Sequence, residues 1–252
     1  SAMTRVLCLL AVGLCACLSK AQAEIVLRVS PQEGSAPKFI DRSTPAKGHC
    51  PDILAAIERI DPELRFEITP APTPIKRIEH EIREGRLDVM CALLDTPARN
   101  AIAYRVATPI YHVRERLVGR RDGRIARSFD DTKNSGAMVV TQSGASYAND
   151  LRELGVKVTE TTGGSPVALR SVLAGRADYY YTNELTGAYY MRSEDVEGKL
   201  YLLPAVLKET PSYLWVARQQ SEAIVSRVER AVARLQREGE LERIYQSYRN
   251  PR

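Results

Sequence analysis

Apolar strand-like segments alternate with amphipathic helical patterns through this chain, and the alternation occurs twice. The first set comprises predicted strands at 24–29, 65–68 and 87–91, with one helix beginning after Gly48 and another at 75–84. The second set comprises predicted strands at 137–141, 156–158 and 177–181, with helices at 147–154 and 166–174. Because parallel strands need a crossover that a helix usually supplies, this order predicts an α/β protein with two mostly parallel sheets.

The segments outside these two sets indicate how the units are connected. Further strands are predicted at 116–120, 200–203 and 213–217, followed by helices at 222–237 and 241–248 that Gly239 separates. We therefore expect the chain to enter a second lobe and return to the first. The expected division assigns residues 24–117 and 211–252 to lobe 1 and residues 118–210 to lobe 2. Two connections between lobes form a hinge rather than a free linker.

The charge balance argues against nucleic acid as a partner. The 252 residues include 36 Lys and Arg and 31 Asp and Glu, for a formal net charge of +5. Two of the basic residues, Arg5 and Lys20, lie in the first 23 positions, which contain no acid. The remainder is close to balanced, and no Lys/Arg run with interleaved aromatic residues stands out.

The first 23 residues read as a cloning remnant (the first two residues) and a secretory signal peptide. Arg5 precedes an apolar run at 6–18, and the A-x-A pattern at 21–23 gives a cleavage site before Glu24. The apolar run is too short to cross a bilayer comfortably. An alternative is a lipid anchor on Cys17, within a loosely lipobox-like sequence. Either route places the mature protein outside the cytoplasm, and we expect it in the periplasm.

Two cysteines remain after the expected cleavage, Cys50 and Cys91. In an oxidising compartment an isolated pair usually forms a disulfide. Two free buried thiols are the alternative. A cysteine nucleophile is a weaker one, because only His49 stands next to either cysteine in the sequence.

The segment 85–99 carries the clearest candidate for ligand recognition. After its strand and loop, Thr96 is a predicted N-cap, Pro97 stands at the first helical position, and Arg99 follows one turn in. In open α/β sheets ligands bind at the carboxyl ends of the strands, and the guanidinium fork matches a carboxylate. The alternative is an arginine on a solvated helix face.

Six short motifs together resemble a known family. They are Gly48-x-x-x-Asp52-Ile53, Gly85-Arg86-Leu87-Asp88-Val89, Thr96-Pro97-Ala98-Arg99, Gln142-Ser143-Gly144-Ala145-Ser146, Ala174-Gly175-Arg176-Ala177-Asp178 and Glu238-Gly239-Glu240-Leu241-Glu242-Arg243-Ile244-Tyr245. In this order and approximate spacing they resemble the bacterial extracellular solute-binding proteins of family 3, the periplasmic proteins of polar amino-acid uptake. The resemblance implies a type II periplasmic-binding-protein-like fold, a "Venus flytrap" of two α/β lobes. It further implies a monomer without cofactor or metal that captures a small carboxylate-bearing solute, such as an amino acid, for an ABC transporter in the inner membrane.

The resemblance assigns the carboxylate half of the site. Arg99 corresponds to the family's carboxylate-binding arginine, with Thr96 opening the same helix. Ser146 corresponds to a hydroxyl at a helix N-terminus that binds the other side of that carboxylate, and Gly144 permits close backbone approach. Phe39 falls near an aromatic residue that packs on the ligand; a core phenylalanine is the equal alternative.

The sequence departs from the family pattern in the other half. Asn183 stands where the family has an aspartate for the ligand's α-ammonium, and an amide does not neutralise that charge. Ala92 and Leu94 stand where polar residues are common, so only their backbone groups are available. Glu184 is expected to face solvent from its helical spacing.

The resemblance also suggests that Cys50 and Cys91 are neighbours at the floor of the cleft in lobe 1, and we predict that they are bonded. An enzyme on the same fold, similar to cyclohexadienyl or arogenate dehydratases, remains an alternative. It would need a buried acid in the cleft, for which Glu184 and Glu33 are the candidates.

Three other possibilities receive less support. A sensor module lacks an accompanying membrane segment or signalling domain in the sequence. Metal binding is not expected, since the histidines at 49, 80 and 112 show no ligand spacing. An aromatic cage for a cation could be built from Tyr179, Tyr180, Tyr181, Tyr189 and Tyr190, although core packing is the commoner explanation.

Overall fold

The computed structural model describes residues 24–40, 44–143 and 146–251, and within them ten strands and nine helices. The strands are β1 (Ile25–Val29), β2 (Leu64–Ile68), β3 (Val89–Leu93), β4 (Ala103–Arg105), β5 (Tyr111–Arg120), β6 (Met138–Gln142), β7 (Lys157–Thr161), β8 (Tyr179–Asn183), β9 (Leu200–Leu202) and β10 (Lys208–Ala217). The helices are α1 (His49–Ile60), α2 (Ile75–Arg83), α3 (Pro97–Ile102), α4 (Phe129–Asn134), α5 (Tyr147–Glu153), α6 (Gly164–Leu173), α7 (Glu184–Ser193), α8 (Glu222–Arg237) and α9 (Glu240–Arg249).

Two sets of parallel strands are joined through two long antiparallel strands. In the first set β1 pairs in parallel with β2 and β3, and in the second β6 pairs in parallel with β7 and β8. The first half of β10 pairs with the first half of β5, its second half continues along β3, and β5 continues along β8. These pairings confirm the predicted α/β class with two lobes on a two-strand hinge.

The buried side chains divide in the same way. One pair of clusters lies on the two faces of the β1–β3 sheet, under α1, α8 and α9 on one side and α2 and α3 on the other. A second pair lies on the two faces of the β6–β8 sheet. We call these two halves lobe 1 and lobe 2. The predicted boundaries at 117/118 and 210/211 remain a prediction.

Local sequence signals explain several element ends. The Ser221 side chain caps α8 by accepting a hydrogen bond from the Ile224 amide at 3.3 Å. Gly239 has a φ of 75°, a left-handed conformation that glycine adopts without a steric cost, and it separates α8 from α9. Trp215 is fully buried in lobe 1, and its indole Nε1 donates to the Leu93 carbonyl at 3.1 Å.

The structure differs from the predicted elements at several points. The third strand spans Val89–Leu93 rather than 87–91, because Asp88 turns its carboxylate back onto the Arg28 amide and side chain before the strand begins. The strands β5 and β10 begin several residues earlier than predicted. The elements β4, α4 and α7 were not predicted.

The predicted disulfide between Cys50 and Cys91 is present and joins α1 to β3, with a Cα–Cα distance of 6.1 Å. The predicted cloning remnant, signal peptide and alternative lipid anchor at Cys17 lie outside the described residues. Within the described ranges, none of the helices has the length and apolar character required to cross a membrane.

Candidate functional site

Arg99 is held against the loop that leaves β3. Thr96 caps α3 by accepting a hydrogen bond from the Arg99 amide at 3.2 Å, and Pro97 follows it, as predicted. The guanidinium donates from Nη1 to the Leu94 carbonyl at 2.9 Å, and Nη2 lies 3.4 Å from Oε1 of Glu79 on α2. Its third nitrogen, Nε, is buried and has no hydrogen-bond partner among the described residues. The arginine is therefore held in place while its Nε–H remains without an acceptor in that part of the chain.

Lys38 brings a second cation to the same loop. Its ammonium donates to the Ala92 carbonyl at 2.8 Å and to Oε1 of Gln32 at 2.9 Å. Burial, followed by the positive charge of Arg99, lowers the pKa of Lys38 to about 7. The sequence interpretation did not single out Lys38, because its partner Ala92 lies 54 positions away.

The carbonyl that Lys38 binds belongs to a residue in an unusual conformation. Ala92 has a φ of 62°, which costs an L-residue on the order of 1 kcal/mol. Ala92 and Leu94 both offer their carbonyls, to Lys38 and Arg99 respectively. These two backbone oxygens, one in β3 and one in the loop that follows it, are thus bound by basic side chains of the chain itself.

His49 lies at the start of α1 beside these groups. Burial, followed by the charge of Lys38, lowers the pKa of His49 to about 3, so the imidazole is neutral at physiological pH. The ring packs edge-on against Tyr111 at 5.2 Å and Tyr248 at 5.7 Å between ring centres. Its Nδ1 is buried and lacks a hydrogen-bond partner within the described part of the chain.

The aromatic residue predicted near the ligand lies in the core instead. Phe39 is 2% exposed and belongs to the cluster under α1, which favours its alternative role as a packing residue. The tyrosines at 179, 180 and 181 are likewise buried in lobe 2, and Tyr189 and Tyr190 lie on α7, which does not favour an aromatic cage. In the loop that precedes α1, the neighbouring side chain of Lys38 reaches β3, where it binds the Ala92 carbonyl.

In lobe 2, Ser146 and Asn183 stand at the starts of two helices. Ser146 is exposed, opens α5 and makes no side-chain capping bond; its carbonyl accepts from the Asp150 amide at 3.2 Å. Asn183 ends β8 and caps α7, since its Oδ1 accepts from the Thr186 amide at 2.9 Å. Gly144 lies outside the described residues.

The two lobes touch at this edge. The Thr186 hydroxyl of α7 donates to the Ala36 carbonyl of lobe 1 at 3.3 Å. Ala36 precedes Lys38 by two residues, so the loop that carries Lys38 faces lobe 2. Lys38, Arg99, Asn183 and Thr186 therefore lie around one interlobe region.

The prediction that Glu184 faces solvent was wrong. Glu184 is 4% exposed, and its carboxylate accepts hydrogen bonds from Arg116 Nη1 at 2.7 Å and from the Tyr245 hydroxyl at 2.6 Å. Arg114 and Arg249 each approach within 3.5 Å. Tyr245 and Arg249 lie on α9 of lobe 1, Arg116 lies on the hinge strand β5, and Glu184 lies on α7 of lobe 2. We call this group the Glu184 cluster; it ties the two lobes together.

A second buried acid, Glu115 on β5, was missed by the sequence interpretation. It is 3% exposed, accepts a hydrogen bond from the Tyr181 hydroxyl at 2.5 Å and pairs across the sheet with Asn183. Burial raises the pKa of this carboxyl. The other sequence candidate for a buried acid, Glu33, is exposed.

The pH dependence of stability is expected to report the burial of Lys38. Because the folded pKa, about 7, is below the ordinary 10.5, the unfolded chain binds more protons between these values, and stability rises with pH across that window. In urea unfolding from pH 7 to pH 9.5, the wild type should gain stability relative to Lys38→Met. The control Lys76→Met, at an exposed position on α2, should keep the wild-type slope. Equal slopes for wild type and Lys38→Met would contradict a buried amine.

Two α/β lobes on a two-strand hinge, with an arginine held against the loop that leaves β3, define the class of two-lobed binding folds. The model of the bacterial extracellular solute-binding proteins, family 3, matches residues 27–251, and the chain belongs to this family. No curated protein matches the chain.

Solved structures agree on the fold. The probable amino-acid ABC transporter extracellular-binding protein ytmK from Bacillus subtilis is 12% identical, with a TM-score of 0.78 over 89% of this chain and 97% of that one. A histidine kinase sensor domain with similarity to periplasmic binding proteins is 19% identical, with a TM-score of 0.71 over 90% and 97%. The ancestral amino acid-binding protein AncCDT-1, described as a precursor of cyclohexadienyl dehydratase, is 18% identical, with a TM-score of 0.68 over 88% and 94%. They confirm the predicted type II periplasmic-binding-protein-like fold.

Proposed function

We propose that the chain captures a small carboxylate-bearing solute, an amino acid or a related acid, in the periplasm and delivers it to an ABC transporter of the inner membrane. The observation that carries this proposal is the fixed guanidinium of Arg99, whose buried Nε has no partner among the described residues. Such a donor suits a carboxylate oxygen. Membership of the solute-binding family and the transporter-associated neighbour from Bacillus subtilis support the transport role.

The mechanism follows from the position of the groups in the two lobes. A solute that contacts Arg99 in lobe 1 and the start of α5 or α7 in lobe 2 binds the closed arrangement more tightly than the open one. Closure is then a population shift that the solute drives by its differential affinity. We propose Ser146, Gly144 and Asn183 as the lobe 2 contacts. In lobe 1, Thr96 and Leu94 hold Arg99, and Ala92 holds Lys38 beside it.

Thermal-shift screening against small carboxylates and amino acids tests the proposal. A solute at 100 times its dissociation constant should add about 2.7 kcal/mol to the free energy of unfolding. For any solute found, Arg99→Ala should raise the Kd by roughly a hundredfold, because a buried charge-assisted pair is lost.

Arg105→Ala is the matched control. Arg105 is also close to the β3–α3 loop, but it is exposed, pairs with Asp95 at 2.6 Å and lies over the Tyr213 ring. Its removal should change the Kd less than threefold. If Arg99→Ala bound the solute as tightly as the wild type does, the assignment of the carboxylate site would be wrong.

A dehydratase-like enzyme is the second candidate, and Glu115 is the observation that favours it. Burial raises the pKa of this carboxyl, and a carboxyl whose pKa is raised by burial is the kind of group that serves as a general acid. One neighbour on this fold is described as a precursor of cyclohexadienyl dehydratase. Mass spectrometry of a bound solute after long incubation distinguishes the two: turnover that Glu115→Gln abolishes would support the enzyme, and an unchanged solute supports the binding protein.

A further inference from the structure

Lys38 places an ammonium group on the face of lobe 1 that lies toward lobe 2. Its Nζ donates to the Ala92 carbonyl at 2.8 Å. Ala36, in the same loop as Lys38, accepts a hydrogen bond from the Thr186 hydroxyl of lobe 2. An amine of the protein, which is a cation when protonated, therefore already lies in the region where a solute would bridge the lobes.

In lobe 1 the acceptor groups near this region are engaged by the chain itself. A solute's ammonium would need carbonyl or carboxylate oxygens as partners, since it has only donors. The Ala92 carbonyl accepts from Lys38, the Leu94 carbonyl accepts from Arg99, and the Glu79 carboxylate lies 3.4 Å from the same guanidinium. An added ammonium would also be repelled by Arg99 and by the protonated form of Lys38.

The acceptors in lobe 2 are similarly committed. Asn183 carries no charge, and its Oδ1 accepts from the Thr186 amide at the start of α7. The Glu115 carboxylate, on the hinge strand β5, is buried and accepts from the Tyr181 hydroxyl of lobe 2. None of these five acceptors, at Ala92, Leu94, Glu79, Asn183 and Glu115, is a free carboxylate for a solute's ammonium.

Donors, in contrast, are plentiful. Arg99 keeps a buried Nε without a partner in the described ranges, and Lys38 can pair with an anion by leaving Gln32. We propose, on the basis of the function proposed above, that the solute is a small organic diacid without an amino group. One carboxylate binds Arg99 and the other lies beside Lys38, which replaces the ammonium that an amino acid would bring.

Matched pairs of acids test this proposal. Succinate and L-aspartate share four carbons and two carboxylates and differ in one ammonium, and glutarate and L-glutamate form the same comparison with five carbons. Isothermal titration calorimetry of the full chain at pH 7.5 should give a Kd for a diacid at least tenfold lower than for its amino counterpart. A pair in which the amino acid binds as tightly would overturn the proposal.

The role of Lys38 has its own readout. An anion beside Lys38 raises the pKa of the amine, so binding at pH 7.5 should take up protons, measured as a dependence of the binding enthalpy on the ionisation enthalpy of the buffer. Two titratable groups interact with Lys38, namely Arg99 on α3 and His49 on α1. The pKa of His49 is about 3, so its imidazole is neutral at pH 7.5 and does not contribute to the proton uptake.

Lys38→Met should abolish this proton uptake and raise the Kd for the diacid at least tenfold. Lys76→Met, on the exposed face of α2, should leave both unchanged. Wild-type affinity and proton uptake in Lys38→Met would overturn the role of Lys38 even if a diacid bound.

The outcomes separate this proposal from the broader function. Tight binding of an amino acid that depends on Arg99 would overturn the diacid and leave the solute-binding function standing. A panel of diacids, amino acids and monocarboxylates in which no compound bound would overturn both.

Discussion

Glu184→Gln is expected to lower the free energy of unfolding by about 3–5 kcal/mol, because it leaves the buried Arg116 guanidinium without its anionic partner. Glu184 is 4% exposed and Arg116 is 9% exposed, so solvent cannot replace the lost charge. The amide is nearly isosteric, which limits the effect to charge and hydrogen bonding rather than to a cavity. Urea unfolding of the wild type and of Glu184→Gln at pH 7, analysed with the same dependence of the unfolding free energy on urea concentration, measures the difference.

A control on the same helix isolates burial as the cause. Glu194→Gln removes a carboxylate at the end of α7 that lies 3.9 Å from Arg170 and is one-third exposed. Its expected effect is below about 0.5 kcal/mol. Equal losses for the two variants would contradict the Glu184 cluster as a source of stability.

The pH dependence of the Glu184→Gln effect has a definite sign. Burial alone would raise the pKa of Glu184, but the hydrogen bonds from Tyr245 and Arg116 outweigh burial and hold the pKa below its ordinary 4.5. A depressed folded pKa gives stability that is present above pH 4.5 and is lost as the pH falls through the folded value. The difference between wild type and Glu184→Gln should therefore shrink in acid.

Removal of the disulfide is expected to cost a similar amount. In the chain-entropy model, a bond between residues 41 positions apart stabilises by about 3–4 kcal/mol. In urea unfolding, the double variant Cys50→Ala/Cys91→Ala should be less stable than the wild type by this amount. Dithiothreitol should lower the free energy of unfolding of the wild type to that of the double variant and should leave the double variant unchanged. Two reactive thiols at Cys50 and Cys91 in unfolded, unreduced protein would show that the bond does not form.

The features that the sequence predicted well depend on neighbours in the chain. The cap at Thr96, Pro97 at the first turn and the position of Arg99 on α3 follow from the local chemistry of one helix start. The helix α8 has the predicted bounds, 222–237, because a serine cap and a glycine break mark its ends. These signals need no knowledge of the rest of the fold.

The features that the sequence interpretation missed depend on distant partners. Lys38 and Ala92 are 54 positions apart, and Glu184 and Arg116 are 68 positions apart. Helical spacing suggested a solvated Glu184, but α9 of the other lobe covers that position. Three consecutive tyrosines at 179–181 are buried because both faces of β8 are covered, so the alternation of inward and outward residues does not apply.

The ladder between β5 and β10 restricts how the halves of the molecule can move. Five residue pairs, from Lys208 opposite Glu115 to Ser212 opposite Tyr111, bind the two strands in fixed register. If one strand slid along the other, all five residue pairs would have to separate together, whereas a change in the twist of the two strands preserves the pairs. We therefore expect any opening of the two lobes to be a single rotation about this pair of strands rather than independent diffusion of two bodies.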